Sequence, residues 1–146
     1  MKYQKIDSKL FVKNRKNFLS RMKPNSIAFF NSNDIYPVSA DSTLPFEQHR
    51  DIFYLSGVDQ EESVLMLCQS CSDQNLREVL FLKETDDHIA VREGPKLNKK
   101  QAFETSGIKS VFWLDEMENI IDKVMNECET IYFNHNEHYR AKIEME

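Results

Sequence analysis

Cysteine is scarce: Cys68, Cys71 and Cys128 are an odd three, which argues against a disulfide framework and for a reducing compartment. Glycine is equally sparse. Gly57, Gly94 and Gly107 stand alone, so there is no glycine-rich loop to cradle phosphate. Four prolines are too few for a loop-rich or repetitive chain. No apolar stretch approaches the roughly 20 residues that a membrane-spanning helix needs. No apolar run follows Met1–Asp7, so the start does not read as a secretory signal. There is no G-x-S-x-G nucleophile motif, and Cys128 has no obvious histidine partner.

What is present is an ordinary globular composition. The chain has 146 residues, 40% hydrophobic and 29% charged, with ten Phe. That length suits one domain with a real core. Charge is uneven. Residues 1–23 hold eight Lys/Arg against Asp7 alone, a net +7, so an overall −5 leaves −12 on the remainder. A basic first element can signal nucleic acid, but the rest is too acidic to continue a phosphate track. The expectation is therefore no nucleic acid, no membrane and a cytoplasmic location.

Residues 7–22 read as a helix, with Leu10, Phe11, Phe18, Leu19 and Met22 near one face and Pro24 stopping it. Short continuous apolar runs read as strands buried on both faces: 26–31, 52–55, 64–67, 79–82, 111–114, 131–133 and, more weakly, 89–91. Asn98 is a candidate N-cap for a helix through Ser106, with Gly107 at its left-handed end. Met117, Ile120, Ile121, Val124, Met125 and Cys128 recur at helical spacing, and Asp115 with Glu118 resembles a capping box. Helices separating the last strands predict parallel pairing there. The tight spacing of the strand candidates over 52–91 predicts antiparallel pairing. The sum is a three-layer α/β/α domain with a mixed sheet. The polar end, Glu137–Glu146, is helix-prone.

Three clusters could carry chemistry. Cys68-Gln69-Ser70-Cys71 could be a redox pair or half a zinc site. However, no helix starts at it and no second C-x-x-C exists, so buried structural thiols are the better reading. His135 and His138 bracket Glu137 but lack a third ligand and read as a surface turn. Asp86-Asp87-His88 could be an acid/base or metal loop and reads better as a solvated turn between strands.

One segment is more distinctive. Ser39-Ala40-Asp41-Ser42, followed by Pro45-Phe46-Glu47-Gln48-His49-Arg50-Asp51-Ile52-Phe53-Tyr54-Leu55-Ser56-Gly57, resembles the S-A-D-S…P-F-x-Q-x-x-D-F-x-Y-L-T-G signature of the Xaa-Pro aminopeptidase (aminopeptidase P) N-terminal domain. Asn14-Arg15, Met22–Ala28, Val79–Leu82 and Ser106-Gly107-Ile108 are similar to the same family. The resemblance implies a mixed-sheet α/β/α fold related to the ribonuclease H motif. It implies a domain over residues 1–134, with 135–146 opening a linker to a catalytic domain absent from this chain.

In the family that downstream domain is of the pita-bread type. It binds two divalent metal ions, as a rule manganese, and removes the N-terminal residue from peptides whose second residue is proline. No segment here matches its metal-ligand motifs. The expectation is thus a fragment that is inactive alone, holds no cofactor, and acts through its own C-terminal catalytic domain and a homo-dimer or tetramer on peptides with proline second. Asp41 matches a position near the family's substrate cleft, although an Asp capping a turn is an equally good reading of the residue itself. Arg92 stands where relatives often carry a Trp. Phe46, Phe53, Tyr54 and Trp113 read as core. A non-enzymatic peptide- or protein-binding module related to the family is the alternative.

Overall fold

Alternation along the strands dictates the layering. In β1 (Ser26–Asn31), Ala28 and Phe30 point to one face and Ile27 and Phe29 to the other. Residues of β4 (Ser63–Leu67) and β5 (Glu78–Leu82) divide the same way, so each strand is buried on both sides. The computed structural model describes residues 4–135.

Between β1 and β4 lie the hairpin strands β2 (Pro37–Ser39) and β3 (Ser42–Thr43), then α2 (Arg50–Ser56). After β5 come α3 (Asp87–Glu93), α4 (Lys99–Ser106), β6 (Ser110–Trp113), α5 (Met117–Met125) and β7 (Thr130–Phe133). The five-stranded sheet has the order β6-β5-β4-β1-β7. β4 is antiparallel to both β1 and β5, whereas β6 and β7 are parallel to their neighbours. The mixed sheet is as expected.

Helix α1 (Ser8–Leu19), α2 and α4 cover one face, where Ile52, Leu55 and Ala102 join Leu65, Leu80 and Leu82. Ile120 and Val124 of α5 cover the other, over Met66, Val79 and Phe81. Asp7 caps α1 by accepting from the Lys9 amide at 2.9 Å. Asn98 and Gln101 cap α4 reciprocally, and Gly107 takes φ 75°, as the sequence indicates.

The apolar runs at 52–55 and 89–91 are helices, not strands. His49 accepts from the Asp51 amide at the start of α2, and Gly57 closes it at φ 71°. Ile52 and Leu55, three apart, make a buried helical face. A Cβ on Gly57 would lie 2.3 Å from the Phe11 ring, so the position admits only glycine. In α3, Asp86 is the N-cap, accepting from the Ile89 amide at 2.8 Å. The Asp86-Asp87-His88 cluster is therefore a helix start and not a turn between strands. Short apolar runs do not distinguish the two periods, and here the caps decide.

Three smaller expectations also shift. The last long helix begins with a 3-10 turn, Leu114–Glu116, and the Trp113 amide donates to Glu116 at 2.8 Å, so Asp115 and Glu118 form no capping box. Leu10 and Tyr54 are exposed. The stripe of α1 continues inward through Asn14 and Arg15 instead. His138 and the 137–146 segment lie outside the described residues, as does all but the first residue of the 135–146 linker, exposed His135.

Candidate functional site

Strand directions gather the loops. Asn31 of β1 is level with Val64, Ser63 with Leu82, and Leu82 with Trp113. The C-terminal ends of β1, β5 and β6 therefore share one end of the sheet. The hairpin leaves from β1 and α3 leaves from β5, so the topology sends Asp41 and Arg92 out from that same end. Ligands of open α/β sheets are bound outside the carboxyl ends of the strands.

Ala40 and Asp41 form the two-residue turn between Ser39 and Ser42. Ala40 has φ 46°, the left-handed region. For a residue with a Cβ this costs about 1–2 kcal/mol. Asp41 is exposed, and among the described residues its carboxylate accepts no hydrogen bond. It does not cap its own turn. Tyr36, Val38 and Leu44 around it are also exposed, giving the hairpin an apolar surface. Arg92, in the last turn of α3, is exposed and likewise has no partner among the described residues.

α3 buries none of its side chains. One ion pair ties it to the end of β5. Lys83, just past β5, reaches Glu62 at 3.1 Å and Glu93 of α3 at 3.2 Å. The bond from Glu62, then that from Glu93, holds the Lys83 ammonium above its ordinary value. Lys96 donates to Glu61. Burial pushes the Glu61 carboxyl up, but the Lys96 bond and charge outweigh it and leave the group below its usual range.

Two glutamines join these loops, and reading the residues singly gives no sign of their role. Gln48 Nε2 donates to the carbonyls of Val58 and Gln60, at 3.0 and 2.9 Å. Gln60 Oε1 accepts from the Leu97 amide at 3.0 Å. The exit of the hairpin, the 58–63 loop and the start of α4 are thereby tied together. Asn14 and Arg15 do the same for the end of α2. Asn14 donates to the Tyr54 carbonyl and Arg15 Nη1 to the Leu55 carbonyl, both at 2.8 Å, while Arg15 Nε pairs with Glu78 at 2.6 Å. Their signal in the sequence was two polar residues on the inward stripe of a helix.

Phe46 and Phe53 are half-buried, Phe53 edge-on to Phe11 at 6.1 Å. Trp113 is half-buried at the sheet end, with the Lys99 ammonium 4.9 Å from its ring centroid. Cys68 and Cys71 are buried free thiols beneath α5. Among the described residues, no three His, Cys, Asp or Glu side chains converge as metal ligands. No helix of the described residues is long and apolar enough to cross a membrane.

The comparisons agree with this architecture. Residues 11–132 match the family model for the aminopeptidase P N-terminal domain. The Xaa-Pro aminopeptidase of Escherichia coli is 26% identical over 138 residues, covering 94% of this chain and 31% of the relative. Intermediate cleaving peptidase 55 of Saccharomyces cerevisiae is 30% identical over 122 residues, covering 77% of this chain and 22% of the relative. The solved E. coli aminopeptidase P superposes with a TM-score of 0.78 at 25% identity, covering 94% of this chain and 31% of that one. A Bacillus anthracis structure described as an aminopeptidase P gives 0.82 at 23% identity over 96% of this chain and 33% of that one. The chain thus spans about a third or less of these relatives. By the extent of that match, it belongs to the aminopeptidase P N-terminal domain family.

Proposed function

We propose that this chain is the non-catalytic N-terminal domain of a metal-dependent Xaa-Pro aminopeptidase, shaping the substrate cleft and subunit contacts of a larger protein. The observation that carries the reading is the pair of charges, Asp41 and Arg92, without partners among the described residues and leaving from one end of the sheet in a domain of this family. A carboxylate at the hairpin tip can orient a peptide ammonium or hold a cationic side chain of the catalytic domain. A guanidinium can grip a carbonyl or carboxylate in fork geometry where an aromatic would offer only apolar contact. Both act by positioning the peptide, where small displacements cost rate steeply. The exposed apolar hairpin suits a contact with a neighbouring subunit.

Two divalent metal ions, manganese as a rule, would supply the activated water of the hydrolysis. The described residues offer no donor set for them. Those ligands belong to the downstream catalytic domain, and no chemical step is assigned to this chain. The test is an assay on Xaa-Pro peptides with added manganese. The isolated chain should give no turnover, whereas the same chain continuous with its downstream catalytic domain should cleave, and a chelator should abolish cleavage. Metal-dependent cleavage by the isolated chain, or an inert longer protein, would overturn the reading.

A further inference from the structure

Beneath the face opposite α1, the fold brings two of the three thiols together. Cys68 directly follows β4 and is fully buried; Cys128 lies just past α5 and is half-buried. Their Sγ atoms are 3.5 Å apart although 60 positions separate them in the chain. Cys71 is buried one turn beyond Cys68, its amide donating to the Cys68 carbonyl at 3.3 Å, and among the described residues its sulfur makes no sulfur–sulfur contact. The C-x-x-C spacing therefore misidentifies the pair: the neighbour of Cys68 is Cys128.

We propose that Cys68 and Cys128 form a reversible disulfide on exposure to a small-molecule disulfide oxidant, a modification site that joins the end of β4 to the end of α5.

The order of events follows from exposure. Cys128 is the accessible thiol, and as thiolate it attacks one sulfur of the oxidant R–S–S–R. A mixed disulfide, Cys128–S–S–R, forms and R–S⁻ leaves. Cys68 then loses its proton to the released thiolate and attacks the Cys128 sulfur, expelling the second R–S⁻. Two protein thiols are oxidised, one small disulfide is reduced to two thiols, and both protons end on them or on solvent. Burial first, then the bond and charge of Cys128, pushes the Cys68 thiol up to about 11. Cys68 is accordingly inert until its neighbour has been activated, and then reacts because the target sulfur is already in contact. This confines the chemistry to one pair. The product closes a loop running from β4 through β5, α3, α4, β6 and α5, a span long enough for a cross-link to restrict the unfolded chain strongly.

The experiment treats the purified chain with oxidised glutathione near pH 8 and follows free thiols, intact mass and thermal unfolding. Free thiols should fall from three to one, with the protein monomeric and two hydrogens lighter. Peptide mapping should join the segments around Cys68 and Cys128. The melting temperature should rise by about 5–10 °C and return with dithiothreitol. Cys71→Ser should keep the cross-link, and Cys128→Ser should retain both remaining thiols. Three persistent thiols, glutathione retained on Cys128 without cross-linking, or a Cys68–Cys71 bond would each contradict the proposal. Mapping of the wild-type protein decides between these even if a variant fails to fold.

Discussion

The middle of the sheet and its loop-bearing end are built on opposite principles. β1, β4 and β5 bury Ile27, Ala28, Leu65, Met66, Leu80 and Phe81 completely, half on each face. At the end where the hairpin and α3 leave, α3 buries no side chain, and Lys83, Glu61, Lys96, Gln48 and Gln60 hold the loops by polar contacts. The exposed Lys83 ion pairs each contribute little to stability, at most about 1 kcal/mol. Folding free energy is concentrated where no ligand can reach. The end that can meet a ligand is ordered mainly by directional bonds, and it carries charge unpaired among the described residues and a strained turn. Ligand-contacting residues commonly lie on such loops, positioned by a rigid scaffold.

The largest expected effect lies in the sheet. Leu80 is fully buried in its central layer. Leu80→Ala should lower unfolding stability by about 3–5 kcal/mol, measured by urea denaturation. A loss below about 1 kcal/mol would show that the face over α1, α2 and α4 is loosely packed and holds little more of the folding free energy than the loop-bearing end. A smaller effect, of opposite sign, is expected at the hairpin. Ala40 sits at φ 46°, a conformation glycine adopts freely. Ala40→Gly should stabilise by up to about 1 kcal/mol, since released strain exceeds the added freedom of the unfolded chain. Destabilisation in the same denaturation series would mean that the turn is not strained.

The contrast also explains what was legible in the sequence. Runs buried on both faces announce themselves through composition alone, so β1, β4 and β5 are readable. The helix starting after Asn98 is readable from its caps. The run Ile52-Phe53-Tyr54-Leu55 is not, because four apolar residues satisfy strand and helix equally, and only the His49 and Gly57 caps make it helical. The same holds for Ile89-Ala90-Val91 behind Asp86. Asp41 and Arg92 stand out through a family resemblance, and nothing in their local chemistry marks them. Gln48, Gln60 and Arg15 were harder still. Their partners are backbone carbonyls and amides far along the chain, and a sequence does not reveal which carbonyl a turn will leave exposed. The contact of Cys68 with Cys128 depends on where α5 ends over β4, which the C-x-x-C spacing obscures.

The most direct test of the central claim is steady-state kinetics of Asp41→Ala and Arg92→Ala in the full-length protein carrying this domain and a catalytic domain. Neither residue is buried or paired within the described domain, so melting temperature and metal content should stay at wild-type values. For each variant the account predicts that kcat/KM on Xaa-Pro peptides falls by about tenfold or more, as expected for lost positioning of a bound peptide. Full activity of both variants on several such peptides would contradict it, leaving Asp41 and Arg92 as a turn residue and a solvated helix end.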